Sequence, residues 1–150
     1  MKWIFIGGLA AGFLDISFAC IYWALARDVP PERILQSVAS GLLGKESYKG
    51  GWGTALLGLG LHFLMTLAMS AAYYAASLRV PVLWRKPWVS GAAYGLILYV
   101  IMNFVVVPLS RAAVGGPRGD LWTWLAIAAH VFLVGIPIAL SIRRSHVAPR

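Results

Sequence analysis

The sequence predicts an all-α integral membrane protein, a four-helix bundle with a short interfacial helix in its first loop. Apolar residues make up 60% of the chain and charged residues only 12%. The apolar residues collect in four stretches of about 20 residues or more, the length that a helix needs to cross a bilayer. These stretches fill most of the 150 residues. We therefore expect a single transmembrane domain over residues 1–150.

Each predicted element has its own signal. The spans are predicted at residues 3–26, 52–78, 88–109 and 121–142, each bounded by charge, Pro or Gly. Trp3, Trp52, Trp88 and Trp122 lie near span ends, as is typical of residues at the lipid headgroup level. Between the first two spans, Pro30-Pro31 is followed by apolar residues at steps of three and four. This pattern predicts an interfacial helix over about residues 31–43.

The distribution of Lys and Arg predicts the orientation. One side holds seven basic residues and no acid, whereas the opposite side holds six basic residues together with four acids. Positive residues are retained on the cytoplasmic side of a membrane. We therefore expect both termini in the cytoplasm and the chain in a bacterial inner membrane. The basic residues on the first side are Lys2, Arg79, Arg85, Lys86, Arg143, Arg144 and Arg150.

One strongly polar side chain interrupts each apolar stretch: Asp15, His62, Asn103 and His130 in chain order. A charged side chain at the bilayer centre costs roughly 2.5–3.5 kcal/mol, so such residues mark a task or a partner. Counted from the outer span ends at ~1.5 Å per residue, the four lie ~16, ~15, ~9 and ~13 Å deep. These similar depths predict that the four side chains meet in one ligand-binding cluster.

Small residues predict which helix faces meet. Gly12 lies on the helix face of Asp15, and Gly58 lies on the face of His62. Glycines let helix backbones approach closely in lipid, so the polar side chains are expected to face protein. An unpaired carboxylate is costly there. We therefore predict that Asp15 pairs with His62 or with His130.

Three ligands suit such a cluster, and the sequence leaves the choice open. Asp15, His62 and His130 are suitable donors for a divalent transition metal. The two histidines also suit a haem ligated from both sides, and an Asp–His set in a wet cavity suits a proton relay. The structural alternative is that these side chains only join helices, at about 0.6 kcal/mol per hydrogen bond. The cofactor is therefore unknown at this stage.

The leading prediction is a non-enzymatic membrane protein whose Asp15, His62, Asn103 and His130 bind a small ligand, metal or proton. No nucleophile with its base and no pair of catalytic carboxylates is readable in the sequence. The alternatives are an accessory subunit of a membrane complex and a proton or ion conduit, although the inner halves of spans two to four read as too apolar for a conduit. Lipid and a homo-oligomer or membrane complex are the expected partners. Nucleic acid is excluded, because the basic residues cluster at span ends.

From Gly58 to Arg144 the chain resembles the YagU-like family of small bacterial inner-membrane proteins of unknown function. In that family a histidine can occupy the position that Asn103 holds in this chain, so the resemblance implies a polar residue there. It implies an inner-membrane location and no enzyme class. The resemblance rests on His62, Tyr73, Pro81, Gly91, Asn103, Pro108-Leu109, His130 and Arg143-Arg144.

Overall fold

The computed structural model describes residues 2–112 and 119–147, and these residues are almost entirely helical. Four of the helices are long and apolar enough to cross a bilayer, which makes the chain a multi-pass membrane protein. In the described part of the chain the helices are α1 (Lys2–Arg27), α2 (Pro31–Leu43), α3 (Gly51–Ser77), α4 (Val82–Arg85), α5 (Pro87–Leu109) and α6 (Leu121–Val147).

The predicted elements agree closely with these bounds. The first three spans are within one residue of α1, α3 and α5 at each end, and α2 covers residues 31–43. The fourth predicted span ended at residue 142, whereas α6 continues to Val147. Apolar length reports the part of a helix in lipid, and Arg143 and Arg144 extend α6 beyond it. A 3₁₀ turn at Gly44–Lys49 and the short α4 were not predicted.

Large apolar side chains cover the outside of the bundle. Phe13 is 64% exposed and Leu25 is 84% exposed, although both lie on α1. The polar Ser70 and Ser77 on α3 are instead buried. This arrangement is the reverse of a water-soluble helix and matches a protein solvated by hydrocarbon.

Helix α1 packs against α3 on one side and α6 on another, and α6 also packs against α5. Close approach of α1 and α3 depends on Gly12, because a Cβ there would lie 2.7 Å from Thr66 Oγ1. Gly95 and Gly135 bring α5 and α6 together, since a Cβ on Gly135 would lie 2.7 Å from the Cα of Gly95. The small residues therefore lie at the helix interfaces, as expected in lipid.

Two tyrosines connect α3 with α5. The hydroxyl of Tyr94 donates to the carbonyl oxygen of Met69 at 2.8 Å. The Tyr94 ring lies 4.9 Å from the ring of Tyr73, centroid to centroid. Tyr73 is 1% exposed and belongs to the main apolar core, which also includes Ile138 and Ile142 of α6. All four long helices therefore contribute residues to this core.

Helix α2 packs its buried residues against α1 and α3. Leu35 joins a second apolar cluster with Ile16 of α1 and Ala55 of α3. At its other end, the carbonyl oxygen of Gly41 accepts a hydrogen bond from the backbone of Arg111 at 2.9 Å. Helix α2 therefore links the first two spans with the end of α5. Its interfacial position in a membrane stays a prediction.

Helices α5 and α6 each contain a π-helical segment before a proline. These segments are Met102–Val106, followed by Pro108, and His130–Gly135, followed by Pro137. A proline offers no N–H to the helical ladder, and a π turn shifts the pairing from four to five residues. The wider turn accommodates the proline without ending the helix. Asn103 and His130 both lie within these segments.

Candidate functional site

His62 lies at the contact between α3 and α1, near the middle of both helices. It is 6% exposed, and its Nε2 atom is 2.9 Å from the carbonyl oxygen of Gly12. A carbonyl oxygen only accepts, so Nε2 carries a hydrogen and donates it. Gly12 lets α1 approach α3 this closely, because a Cβ there would lie 2.7 Å from Thr66 Oγ1 and 2.8 Å from the Phe63 ring. The ring edge also lies against Phe63, with centroids 5.9 Å apart.

The Asp15 carboxylate lies beside this hydrogen bond. Its Oδ2 atom is 4.0 Å from His62 Nε2, and the Asp15 side chain is 22% exposed. Within residues 2–112 and 119–147, no side chain or backbone N–H donates a hydrogen bond to it. The carboxylate is therefore held next to one titratable ring and is partly open. Of the two predicted partners, His62 is thus the one that lies beside Asp15, without a hydrogen bond between them.

An apolar layer covers the pair on the side of α2. Ile16 follows Asp15 directly, and it packs in one cluster with Leu35 and Ala55. Cys20 and Leu59 pack against the same cluster. Apolar cover lowers the local dielectric, so any net charge on the pair is poorly solvated from this direction.

An aromatic cluster lies one turn further along α1. Phe18 and Tyr22 follow Asp15 by three and seven residues and thus share its helix face. The Trp122 ring of α6 lies 6.2 Å from Phe18 and 4.8 Å from Tyr22, and 5.1 Å from Trp23. These rings pack on each other and fasten α1 to the start of α6.

Asn103 and His130 lie elsewhere, in the two π-helical segments. The Nδ2 atom of Asn103 donates to the carbonyl of Tyr99 at 2.9 Å, and Nδ1 of His130 donates to the carbonyl of Ala126 at 2.9 Å. Each bond joins a side chain to the backbone four residues earlier in its own helix. The His130 ring also stands edge-on to the Tyr99 ring at 5.5 Å. Both side chains thus serve the irregular turns that contain them.

The four predicted residues therefore do not share one set of contacts. Asp15 and His62 meet between α1 and α3, whereas Asn103 bonds to the backbone of Tyr99 and His130 lies against the Tyr99 ring. Over the described residues, no hydrogen bond or ion pair joins Asn103 or His130 to Asp15 or His62. The single four-residue cluster expected from matched depth is not assembled. Depth fixes a residue's position along the helix axis and leaves its direction around the axis open.

The donor set does not fit the predicted metal site. In the part of the chain that the structure describes, no three His, Cys, Asp or Glu side chains lie together as a metal-binding group. The set Asp15, His62 and His130 is therefore not arranged around a common point. His62 Nε2 also points its hydrogen at the Gly12 carbonyl, so this atom has no lone pair free for a divalent metal or for haem iron.

A line of buried polar residues continues from His62 along the same face of α3. Thr66, Ser70 and Ser77 follow at steps of four, four and seven, and they are 3%, 0% and 1% exposed. The Ser70 hydroxyl donates to the carbonyl of Ile4 at 2.8 Å. Ser77 Oγ lies 2.9 Å from Nε2 of His146 at the end of α6. The buried face of α3 between His62 and Ser77 is thus more polar than the apolar composition of this segment predicts.

The contact between Ser77 and His146 was not predicted from the sequence. Ser77 continues the spacing of Thr66 and Ser70, which was a readable signal. His146 follows Arg143 and Arg144 beyond the apolar stretch, where its contact with α3 has no sequence signature. The His146 ring stacks on Trp84, with centroids 5.2 Å apart.

The fold defines a multi-pass helical membrane protein, and the Asp15–His62 pair lies between two of its membrane-spanning helices. Searches for relatives gave no match to any protein-family model, curated protein or solved structure.

Proposed function

We propose that this chain is a non-enzymatic inner-membrane protein that binds a proton at the Asp15–His62 pair. The observation that carries the proposal is the Asp15 carboxylate, which lies in the middle of α1 with His62 Nε2 at 4.0 Å as its neighbouring titratable group. The proposal narrows the predicted ligand from a metal, haem or proton to the proton.

Charge balance gives the physical reason for proton uptake. An ionised Asp15 beside a neutral His62 carries one negative charge, and a charge at this depth costs roughly 2.5–3.5 kcal/mol. Adding one proton to either group removes the net charge. The result is a neutral acid beside a neutral ring, or a carboxylate beside an imidazolium.

Because the two groups lie close together, protonation of one should change its attraction to the other. His62 Nε2 already donates to Gly12, so in the resting geometry the carboxylate is a near neighbour rather than a hydrogen-bond acceptor. A second hydrogen on the ring would allow His62 to keep the Gly12 bond and attract Asp15 electrostatically. Protonation is thus expected to draw α1 and α3 together at this level.

The location belongs to the same proposal. The basic residues at the Lys2 end and the resemblance to YagU-like proteins favour an inner membrane with both termini in the cytoplasm. Reporter fusions at each terminus test this orientation. Activity of a periplasm-dependent reporter at either end would contradict it.

A proton conduit is the second candidate, and the polar line on α3 favours it. Residues four apart on a helix are separated by ~6 Å along its axis, so transfer between Thr66 and Ser70 needs a bridging water. The Ser70 and Ser77 hydroxyls each donate to a backbone carbonyl, at 2.8 and 2.7 Å. Conduction would therefore require these hydroxyls to rotate. Proton binding without transport needs no such rearrangement.

The test measures proton uptake by the protein in lipid nanodiscs. Infrared difference spectra across a pH titration report the Asp15 carboxyl, and NMR of isotope-labelled histidine reports the His62 ring. We expect one coupled carboxyl–imidazole titration in the wild type and its loss in Asp15→Asn and His62→Gln. His130→Gln is the matched control, because glutamine retains a donor for the Ala126 carbonyl and leaves the pair intact.

The outcomes separate the candidates. If Asp15→Asn and His62→Gln titrate as the wild type does, the proton-binding proposal is wrong. Proteoliposomes loaded with a pH-sensitive dye then distinguish binding from conduction. Flux above empty liposomes that is lost in Asp15→Asn would establish a conduit, while uptake without flux would establish a binding site alone.

A further inference from the structure

A groove opens between α1 and α6 at the end of the bundle that holds Lys2. It has a volume of about 160 Å³. Ile6 and Ala10 of α1 form one wall, and Pro137 and Leu140 of α6 form the other. All four are apolar and none is fully buried. The groove is therefore an apolar surface cleft that is open on the outside of the bundle.

The floor of the groove offers no unpaired polar group. It is formed by Gly7 and Ser141, where the two helices approach most closely: a Cβ at Gly7 would lie 3.0 Å from that of Ser141. The Ser141 hydroxyl donates to the carbonyl of Trp3 at 2.7 Å. The groove is deep at Gly7 because this residue has no side chain. The Ser141 hydroxyl already donates a hydrogen bond, so the floor holds no polar group that needs a partner. An extended hydrocarbon chain suits this lining.

Two positive charges lie at the mouth of the groove. The Nζ atom of Lys2 and the Cζ atom of Arg144 each lie 5.5 Å from the centre of the Trp3 ring. Trp3 and Arg144 also line the groove itself. Both cations are exposed, and a tryptophan at the lipid headgroup level is the usual neighbour of such charges.

Within residues 2–112 and 119–147, no Asp or Glu side chain pairs with either cation. The chain has five acids, and four of them lie at or beyond the opposite end of α1: Asp28, Glu32, Glu46 and Asp120. The fifth, Asp15, is beside His62 in the middle of the span. In the described part of the chain, the cationic mouth therefore has no carboxylate side chain beside it, and the groove below it is lined by apolar side chains.

We infer that this groove binds an anionic phospholipid. Its phosphate lies between Lys2 and Arg144, and one acyl chain follows the apolar walls past Ala10 and Pro137. From Trp3 to Ala10 the groove extends ~10 Å along α1, which reaches from the headgroup level into the hydrocarbon. Basic residues beside a cleft between membrane helices are the arrangement that holds anionic headgroups. The inference does not depend on proton binding at Asp15.

The experiment compares lipids on the full-length protein in detergent. Phosphatidylglycerol is titrated against phosphatidylcholine with identical acyl chains and against inorganic phosphate, with thermal unfolding and native mass spectrometry as readouts. We expect phosphatidylglycerol alone to raise the unfolding temperature and to remain bound. Equal stabilisation by phosphatidylcholine would overturn the charge argument. Equal stabilisation by inorganic phosphate would show an anion site that needs no lipid chain, and would overturn the inference.

Variants locate the site. Arg144→Gln should weaken phosphatidylglycerol binding about fivefold, the effect of one interfacial cation worth about 1 kcal/mol. Arg143→Gln is the charge-matched control, because Arg143 is not one of the residues that line the groove. Ala10→Leu fills the groove from an exposed position and should also weaken binding, with the fold unchanged. A loss in Arg143→Gln equal to that in Arg144→Gln, or full binding by Ala10→Leu, would show a diffuse basic surface and overturn the site.

Discussion

The Nε2 atom of His62 donates a hydrogen bond to the carbonyl oxygen of Gly12 at 2.9 Å, and this bond joins α3 to α1 at mid-span. Gly12 allows this approach, because a Cβ there would collide with Phe63 and Thr66 of α3, and the His62 ring lies 4.0 Å from the Asp15 carboxylate. One glycine thus determines both the approach of the two helices and the position of the titratable pair. The stability of the bundle and its proposed proton chemistry meet at this point.

His62→Ala should lower the free energy of unfolding by about 1–3 kcal/mol, because it removes a buried hydrogen bond and leaves a cavity. His62→Gln should recover part of this loss, since its amide can donate to the Gly12 carbonyl. Unfolding in mixed micelles with increasing denaturing detergent measures both. A glutamine variant as unstable as the alanine variant would show that the hydrogen bond adds little.

Gly58 should tolerate no side chain. A Cβ there would overlap the carbonyl of Leu35 in α2, where only backbone atoms are available to move. Gly58→Ala is expected to cost about 1–3 kcal/mol of stability, as for overpacking in a core.

Gly60→Ala is the matched control for this position. Gly60 lies two residues further along α3, with nothing within 4 Å of a new Cβ. Alanine there should be neutral or stabilising by roughly 0.5–1 kcal/mol, because it reduces backbone freedom in the unfolded chain. Equal unfolding curves for the two alanine variants would contradict the contact between α2 and α3.

The Tyr94 hydroxyl should stabilise the contact of α5 with α3. Tyr94→Phe removes its bond to the Met69 carbonyl while keeping the ring, and a hydrogen bond between membrane helices is worth about 0.6 kcal/mol. Tyr74→Phe is the control, because in residues 2–112 and 119–147 the Tyr74 hydroxyl makes no hydrogen bond. Thermal unfolding should distinguish the two. A larger loss in the Tyr74 variant would be incompatible with this arrangement.

Asn103→Ala and His130→Ala should each cost about 0.5–1.5 kcal/mol, because each removes one hydrogen bond to a carbonyl of its own helix. Neither should change proton uptake by Asp15 and His62. The same denaturing-detergent titration and the same infrared measurement test these statements. Loss of the coupled titration in His130→Ala would mean that His130 influences the Asp15–His62 pair.

The course of the chain through the bilayer follows from local composition. Apolar stretches of about 20 residues specify helices, because lipid offers no partner for backbone polar groups and a helix satisfies them internally. The bounds of α2 follow equally from Pro31 and the spacing of its apolar residues. The sequence offered His62 as one of two partners for Asp15, and Gly12 marks the face of α1 that approaches α3, whereas Gly58 lies against Leu35 of α2.

The remaining relationships depend on the rotation of each helix about its own axis, which depth along that axis does not specify. The π-helical segments before Pro108 and Pro137 turn Asn103 and His130 towards their own backbones, so matched depth did not bring them to His62. Lys2 and Arg144 come from opposite ends of the sequence and meet at Trp3 only because α1 and α6 pack side by side. Local sequence thus specified the helices and one of their contacts, while tertiary packing decided which polar and charged groups face one another.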